Sequence, residues 1–209
     1  MKCGALKADQ IKTKLLDWLI SKDKDAIFAN EMMFSPRKRR ADLTCFKKGK
    51  LIAFEIKGDF DNTRRLFGQI RDYLQTFDLV YIVITPKFLK QLPFIRSSHV
   101  GIILFDSQFK IIRQAKLNKT AKTHLVYLLD KASLLKALKQ SYTLQSLDII
   151  RRRAVRKLSL VKTKRLSYSK LFARYKPLYE LFLRDRQTHT IQDDLLNLTG
   201  VIHPLHKIQ

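Results

Sequence analysis

Acidic residues are scarce in this 209-residue chain. Only 18 Asp and Glu stand against 42 Lys and Arg, a formal charge of +24. So large an excess selects an anionic polymer or surface as partner, without specifying any chemistry. Cysteine is nearly absent. Cys3 and Cys45 are too few for a disulfide framework and point to a reducing compartment. Long apolar runs are missing too, and no stretch reaches the roughly 20 residues of a membrane span. Near the N-terminus Lys12, Lys14 and Asp17 interrupt the sequence where a secretory signal would need an unbroken apolar core. The expectation is a soluble cytoplasmic protein with no membrane partner. No repeat of fixed period is present. His203 and His206 lie three apart with no Cys or third His nearby, which argues against a zinc site.

What the chain does have is a hydrophobic fraction of 45%, ample for a core. Ala8 to Lys22 repeats apolar residues at Ile11, Leu15, Trp18 and Leu19, the spacing of an amphipathic helix, with Trp18 as core. Ile27 to Phe34 is expected as a first strand with Glu31 inside it. Thr63 to Phe77 is expected as a helix burying Leu66, Ile70, Tyr73, Leu74 and Phe77. Leu79 to Thr85 is a near-continuous apolar run, as in a strand covered on both faces, and Pro86 ends it. A short helix at Phe88 to Leu92 and strands at Val100 to Phe105 and Phe109 to Ala115 complete an α/β layer structure.

From Asn118 the β signals fade. The expectation is helices at Ala121 to Lys139, Leu144 to Leu158, Lys170 to Arg184 and Ile191 to Leu198, with Ser159 to Ser169 as a basic linker. This divides the chain into a core at 1–117 and a helical basic module at 118–209. The positive charge grows along it: residues 1–110 carry 21 basic and 12 acidic groups, residues 111–209 carry 21 and 6.

Chemistry concentrates between residues 37 and 73. Arg40 to Phe46 and Leu51 to Lys57 read as two strands joined by a basic turn, in which Gly49 supplies the positive φ. Alternation places Glu55 and Lys57 on one face of the second strand. If Cys45 or Phe46 pairs close to Leu51, Asp42 comes up beside Glu55 and Ile56. Charged groups set into a sheet need partners or a metal. Asp59 and Asp61 follow in a turn, where turn and cap duties are expected of them, and Asp61 or Asn62 can cap the next helix.

Asp42 followed by Glu55-Ile56-Lys57 resembles the PD-(D/E)XK nuclease superfamily, the restriction-endonuclease-like fold, with Ala41 where the motif's proline would stand. Gln69 and Tyr73, one helical turn apart on the following helix, resemble the Gln-x-x-x-Tyr signature of the RecB-type branch, and the likeness is closest to small stand-alone bacterial members. The resemblance implies a mixed sheet flanked by helices and a metal-dependent hydrolase, a deoxyribonuclease acting as an endonuclease. It implies Mg²⁺ or Mn²⁺ on Asp42, Glu55 and the carbonyl of Ile56, with Glu31 as a further metal ligand. Lys57 would assist the attacking water, Gln69 would orient the site, and Tyr73 would support it.

The run Arg37-Lys38-Arg39-Arg40 leads straight into Asp42, where substrate phosphates would lie. Arg64, Arg65 and the cluster Arg151, Arg152, Arg153, Arg156 and Lys157 are further candidates for gripping nucleic acid, expected to be DNA. The competing expectation is a non-catalytic nucleic-acid binder that retains the fold. Dimerisation is left open.

Overall fold

The computed structural model describes residues 5–35, 39–62, 66–89, 99–141 and 143–200, without the side chain of Phe67. The expected candidates Arg37, Lys38, Arg64 and Arg65, together with Cys3, His203 and His206, lie outside the described residues. A helix, α1 (Ala8–Lys22), precedes three antiparallel strands, β1 (Ile27–Met33), β2 (Arg40–Lys47) and β3 (Lys50–Lys57). Helix α2 (Leu66–Thr76) then crosses to β4 (Leu79–Ile84), which runs parallel to β3. β5 (Val100–Asp106) is parallel to β4, and β6 (Gln108–Arg113) returns antiparallel at the far edge. The sheet has the order β1-β2-β3-β4-β5-β6. It is a mixed six-stranded sheet flanked by helices and followed by a helical region.

Local chemistry explains this order. The β2–β3 hairpin closes at Lys47 and Lys50, and both turn residues have positive φ, Lys48 at 48° and Gly49 at 73°. That pair of angles matches the twist of the flanking strands. At the other end of β3, a Cβ on Gly58 would come within 2.7 Å of the Leu6 carbonyl oxygen. Only glycine lets the chain leading into α1 lie against the end of β3. Asp59 secures that approach: it accepts the Leu6 N–H at 2.8 Å and the Thr85 hydroxyl at 2.7 Å, while Asp61 accepts the Gly58 N–H at 2.8 Å. Both are turn residues, as their sequence context suggested.

The helical half differs from its expected layout. The single helix expected over 121–139 is two, α3 (Lys122–Tyr127) and α4 (Lys131–Ala137). Asp130 interrupts it by capping α4, accepting the Ser133 N–H at 2.8 Å, a local bond that competes with helix continuation. α5 (Leu147–Lys157) begins three residues later than expected. The expected linker at 159–169 is the first part of α6 (Leu160–Asp185), a 26-residue helix. Ser159 caps it by accepting the Lys162 N–H at 3.2 Å, and Thr163, Ser167 and Leu171 carry its buried stripe. Small hydroxyl residues among lysines concealed that stripe. A short α7 (Asp194–Asn197) follows, and the turn expected as a helix at 88–92 is a single 3₁₀ turn over residues 86–89 as far as it is described.

This half is built onto the sheet. Leu171, Tyr175, Tyr179 and Phe182 of α6, with Leu195 and Leu198, share one buried cluster with Phe28, Phe46, Leu51 and Tyr73. Cys45 is buried there as well, and burial pushes its thiol up to about 12. Two polar ties reinforce the contact. Lys164 forms an ion pair with buried Asp78, which also accepts the Leu51 N–H at 2.9 Å. The edge strand β1 is covered where Asn30 donates its N–H to the Leu198 carbonyl at 2.9 Å and its Nδ2 to that of Leu195 at 3.1 Å. Trp18 packs on Phe109 with ring centroids 5.4 Å apart.

Candidate active site

The β2–β3 ladder pairs Phe46 with Leu51 and runs to Leu43 with Phe54. One step further Asp42 stands across from Glu55, so the two carboxylates share a face of the sheet. Here a side chain replaces the backbone ladder: Asp42 Oδ2 accepts the Ile56 N–H at 2.7 Å. Lys57 Nζ donates to Glu55 Oε1 at 2.7 Å. From α2, the Tyr73 hydroxyl reaches Glu55 Oε2 at 2.6 Å and lies 3.3 Å from the Arg40 carbonyl. Glu55 is only 2% exposed, so these two donors do much to offset its lost hydration.

The electrostatics follow from that crowding. Burial first, and then the Glu55 charge, push the Asp42 carboxyl up to about 7, against the pull of the Ile56 N–H, Lys12 and Lys57. Burial draws Lys57 down, but the Glu55 charge and hydrogen bond, with Asp42 and Asp61, outweigh it, so Lys57 titrates above its ordinary value. Burial, then Glu55 and Asp42, hold the Tyr73 hydroxyl well above its ordinary value, as a neutral donor.

Glu31 occupies the same row. It lies between the Asn30–Leu43 and Met32–Ala41 pairs, across from Asp42, in a left-handed conformation with φ 50°. Such a conformation costs a non-glycine residue roughly 1 kcal/mol or more. Its carboxylate is engaged by Lys12 of α1 at 2.7 Å, and Lys12 also reaches Asn30 Oδ1 at 3.2 Å. Among the described residues no three His, Cys, Asp or Glu side chains converge as a metal cage. Glu31 is thus ion-paired beside the Asp42–Glu55 pair and does not join it. Ile56 meets Asp42 through its N–H. Gln69 is half-buried one turn before Tyr73, and among the described residues no hydrogen bond links it to Glu55 or Lys57.

Lys12 escaped the sequence reading, where it counted only as an interruption of apolar character. It is 5% exposed. The signal was there, because position 12 precedes Leu15, Leu16 and Leu19 by three, four and seven residues and therefore lies on the buried stripe.

The basic candidates divide. Arg39 is committed to an ion pair with Asp72 of α2. Arg40 is exposed beside the site. Arg151 lies over the Tyr127 ring, 4.2 Å from its centroid, and contacts Asp148 at 3.3 Å. Arg153 donates to Gln140 at 3.1 Å, whereas Arg152, Arg156 and Lys157 are exposed.

Among known proteins, the family model described as bacteriophage P4 protein cII matches residues 1–199. The chain belongs to the bacteriophage P4 protein cII family. Protein cII of Enterobacteria phage P4 is 40% identical over 119 residues, which cover 54% of this chain and 45% of that protein. The chain therefore spans less than half the length of this curated cII relative. Among solved structures, a protein of unknown function, SPO1766 from Silicibacter pomeroyi, covers 67% of the cII-family chain and 99% of its own at 17% identity, with a TM-score of 0.40.

Proposed function

We propose that this protein is a metal-dependent nuclease that hydrolyses phosphodiester bonds in DNA, built on a restriction-endonuclease-like core. One observation carries the reading: two carboxylates, Asp42 and Glu55, stand side by side on neighbouring strands with Lys57 held on one of them. The strand order supports it, since an antiparallel β1–β2–β3 meander followed by a helix and a parallel β4 is the arrangement expected of that core.

The donor set fits a hard divalent cation. Mg²⁺ is commonly held by one or two carboxylates, with water and substrate phosphate completing the shell. Repulsion from Glu55 helps to push Asp42 up to about 7, which is a demand for positive charge at this point. Asp42 and Glu55 would hold the ion. Bound there, Mg²⁺ or Mn²⁺ supplies Lewis-acid polarisation of a phosphoryl oxygen and a water of lowered pKa.

The chain's own residues do the rest. Tyr73 and Lys57 each hold one oxygen of Glu55, which fixes the orientation of that carboxylate. Lys57 remains an ammonium at neutral pH and offsets the charge that develops on the phosphate. Gln69, one helical turn before Tyr73 on α2, is the remaining candidate for orienting water. Arg40, Arg152, Arg156 and Lys157, exposed and without an ion-pair partner among the described residues, would hold the backbone of the nucleic acid.

The test is incubation with circular single-stranded and supercoiled DNA in Mg²⁺, Mn²⁺ or chelator. Cleaved circles that require the metal are expected, and circles remove free ends, so cutting also establishes endonuclease action. No product with either metal, together with binding that survives chelator, would favour the alternative, a nucleic-acid binder without catalysis. The ion pair that engages Glu31 is the feature most consistent with that alternative.

A further inference from the structure

Between the β1 edge and the helical half runs a cleft of about 870 Å³ that neither the motif residues nor the family assignment accounts for. Its walls come from α1, β1, the start of β2, α3, the start of α4, α5, α6 and α7. Six cations line it, Lys12, Arg40, Lys131, Arg151, Lys170 and Arg174, against three carboxylates, Asp9, Glu31 and Asp130. Part of that charge is already matched, as Lys170 meets Asp130 at 2.9 Å and Lys12 meets Glu31. Arg40 and Lys131 have no such partner among the described residues, and the Arg151 Nε is buried without an acceptor there.

The cleft is not merely basic. Met33 and Leu196 line it while 53% and 49% exposed, and Tyr127 contributes an aromatic ring under the Arg151 guanidinium. Cations beside uncovered apolar side chains call for an anionic polymer that also presents apolar faces. A duplex hides the faces of its bases in the stack, whereas a single strand offers both phosphates and bases. The volume agrees, because small-ligand sites occupy about 300–1,000 Å³, and a space at the upper end of that range takes a short stretch of one strand. The cleft also adjoins the carboxylate pair. Arg40 is two residues from Asp42, its carbonyl lies 3.3 Å from the Tyr73 hydroxyl, and Lys12 acts electrostatically on Asp42.

We infer that this cleft is a channel for a single strand of DNA, with Arg40, Lys131 and Arg151 on its phosphates and Met33, Leu196 and Tyr127 against its bases. It leads the strand to Asp42 and Glu55. What happens to the strand there rests on the nuclease reading; the binding itself does not.

Binding is therefore measured apart from cleavage, by fluorescence anisotropy in chelator. The probes are a labelled oligothymidine of about twelve nucleotides, within the roughly 4–16 that one binding module covers, and a duplex of the same length. The single strand should bind about tenfold more tightly than the duplex. Met33→Glu and Leu196→Glu, at exposed positions that do not support the core, should each weaken oligothymidine binding about tenfold, comparable to losing one stacked base. Lys110→Ala, on β6 at the opposite edge of the sheet, should leave it unchanged. Duplex binding as tight as single-strand binding overturns the proposal, and so does parent-like affinity in both glutamate variants. Absence of cleavage in Mg²⁺ or Mn²⁺ would end the nuclease reading and leave these affinities as they stand.

Discussion

The Tyr73 hydroxyl donates to Glu55 Oε2 across 2.6 Å, joining α2 to the strand that carries the Glu-x-Lys motif. Tyr73 is 1% exposed and Glu55 2%, so water cannot replace the bond. Tyr73→Phe keeps the ring packing on Phe34 and Phe77 and removes only the donor. The expected cost is about 1–3 kcal/mol, because a buried carboxylate loses a partner. Cleavage should fall as well, since Glu55 then turns more freely. Urea unfolding and a nuclease assay check both, and an unchanged midpoint would show that the bond contributes nothing.

Asp42→Asn should separate stability from activity. In the fold the Asp42 carboxyl titrates at about 7, above its ordinary 3.8. Between those values the folded protein binds more protons than the unfolded chain. The stability contribution of this group is therefore greatest below about pH 4, falls as pH rises towards 7 and is flat above that. Asn can still accept the Ile56 N–H and carries no charge. In chelator at pH 8 the variant should melt several degrees above the parent, at about 2–4 °C per kcal/mol for a chain of this size. At pH 4 the two should melt together, and cleavage should be lost throughout. A gain independent of pH would mean that neither burial nor the Glu55 charge raises the Asp42 carboxyl in the fold.

These two bonds also mark how far the sequence could be read. Asp42, Glu55, Lys57 and Tyr73 were legible because period-2 alternation and a one-turn helical spacing fix which side chains share a face. The hairpin itself followed from Gly49 and the short basic turn, but its register stayed open between Cys45 and Phe46 opposite Leu51, and the structure pairs Phe46 there. The helical half was harder, since its breaks depend on caps. Asp130 splits one apparent helix, and Ser159 starts another inside an apparent linker. Nor could composition distinguish Arg39, paired with Asp72, from Arg40, which is exposed and lines the cleft.

Lys57→Ala should lower cleavage by about 10²-fold or more, the scale of a lost positioned acid, base or transition-state cation. Oligothymidine affinity should change little, because Lys57 is held on Glu55 and does not line the cleft. The parent's rate should show no lysine limb between pH 6 and 9, because Glu55 and Asp42 keep the Lys57 pKa above its ordinary value. A large loss of affinity in the variant would reassign Lys57 to substrate binding.

Lys12 is the residue whose removal should couple α1, the strained strand and the carboxylate pair. Its side chain is 6% exposed, and its ammonium holds Glu31 at 2.7 Å and Asn30 at 3.2 Å and lowers Asp42 electrostatically. Lys12→Met should cost about 1–3 kcal/mol by leaving the half-buried Glu31 without its cation. It should also move the pH-dependent loss of stability from Asp42 to higher pH, since one of the charges favouring ionisation is gone. Glu31→Gln added to Lys12→Met removes the stranded charge, so the double variant should regain part of the loss. Residues in one network show coupling of about 0.5–3 kcal/mol, which a thermodynamic cycle resolves. If the two changes simply add, Lys12 is not what balances Glu31, and the left-handed conformation at position 31 must be held by the strand pairing on either side of it.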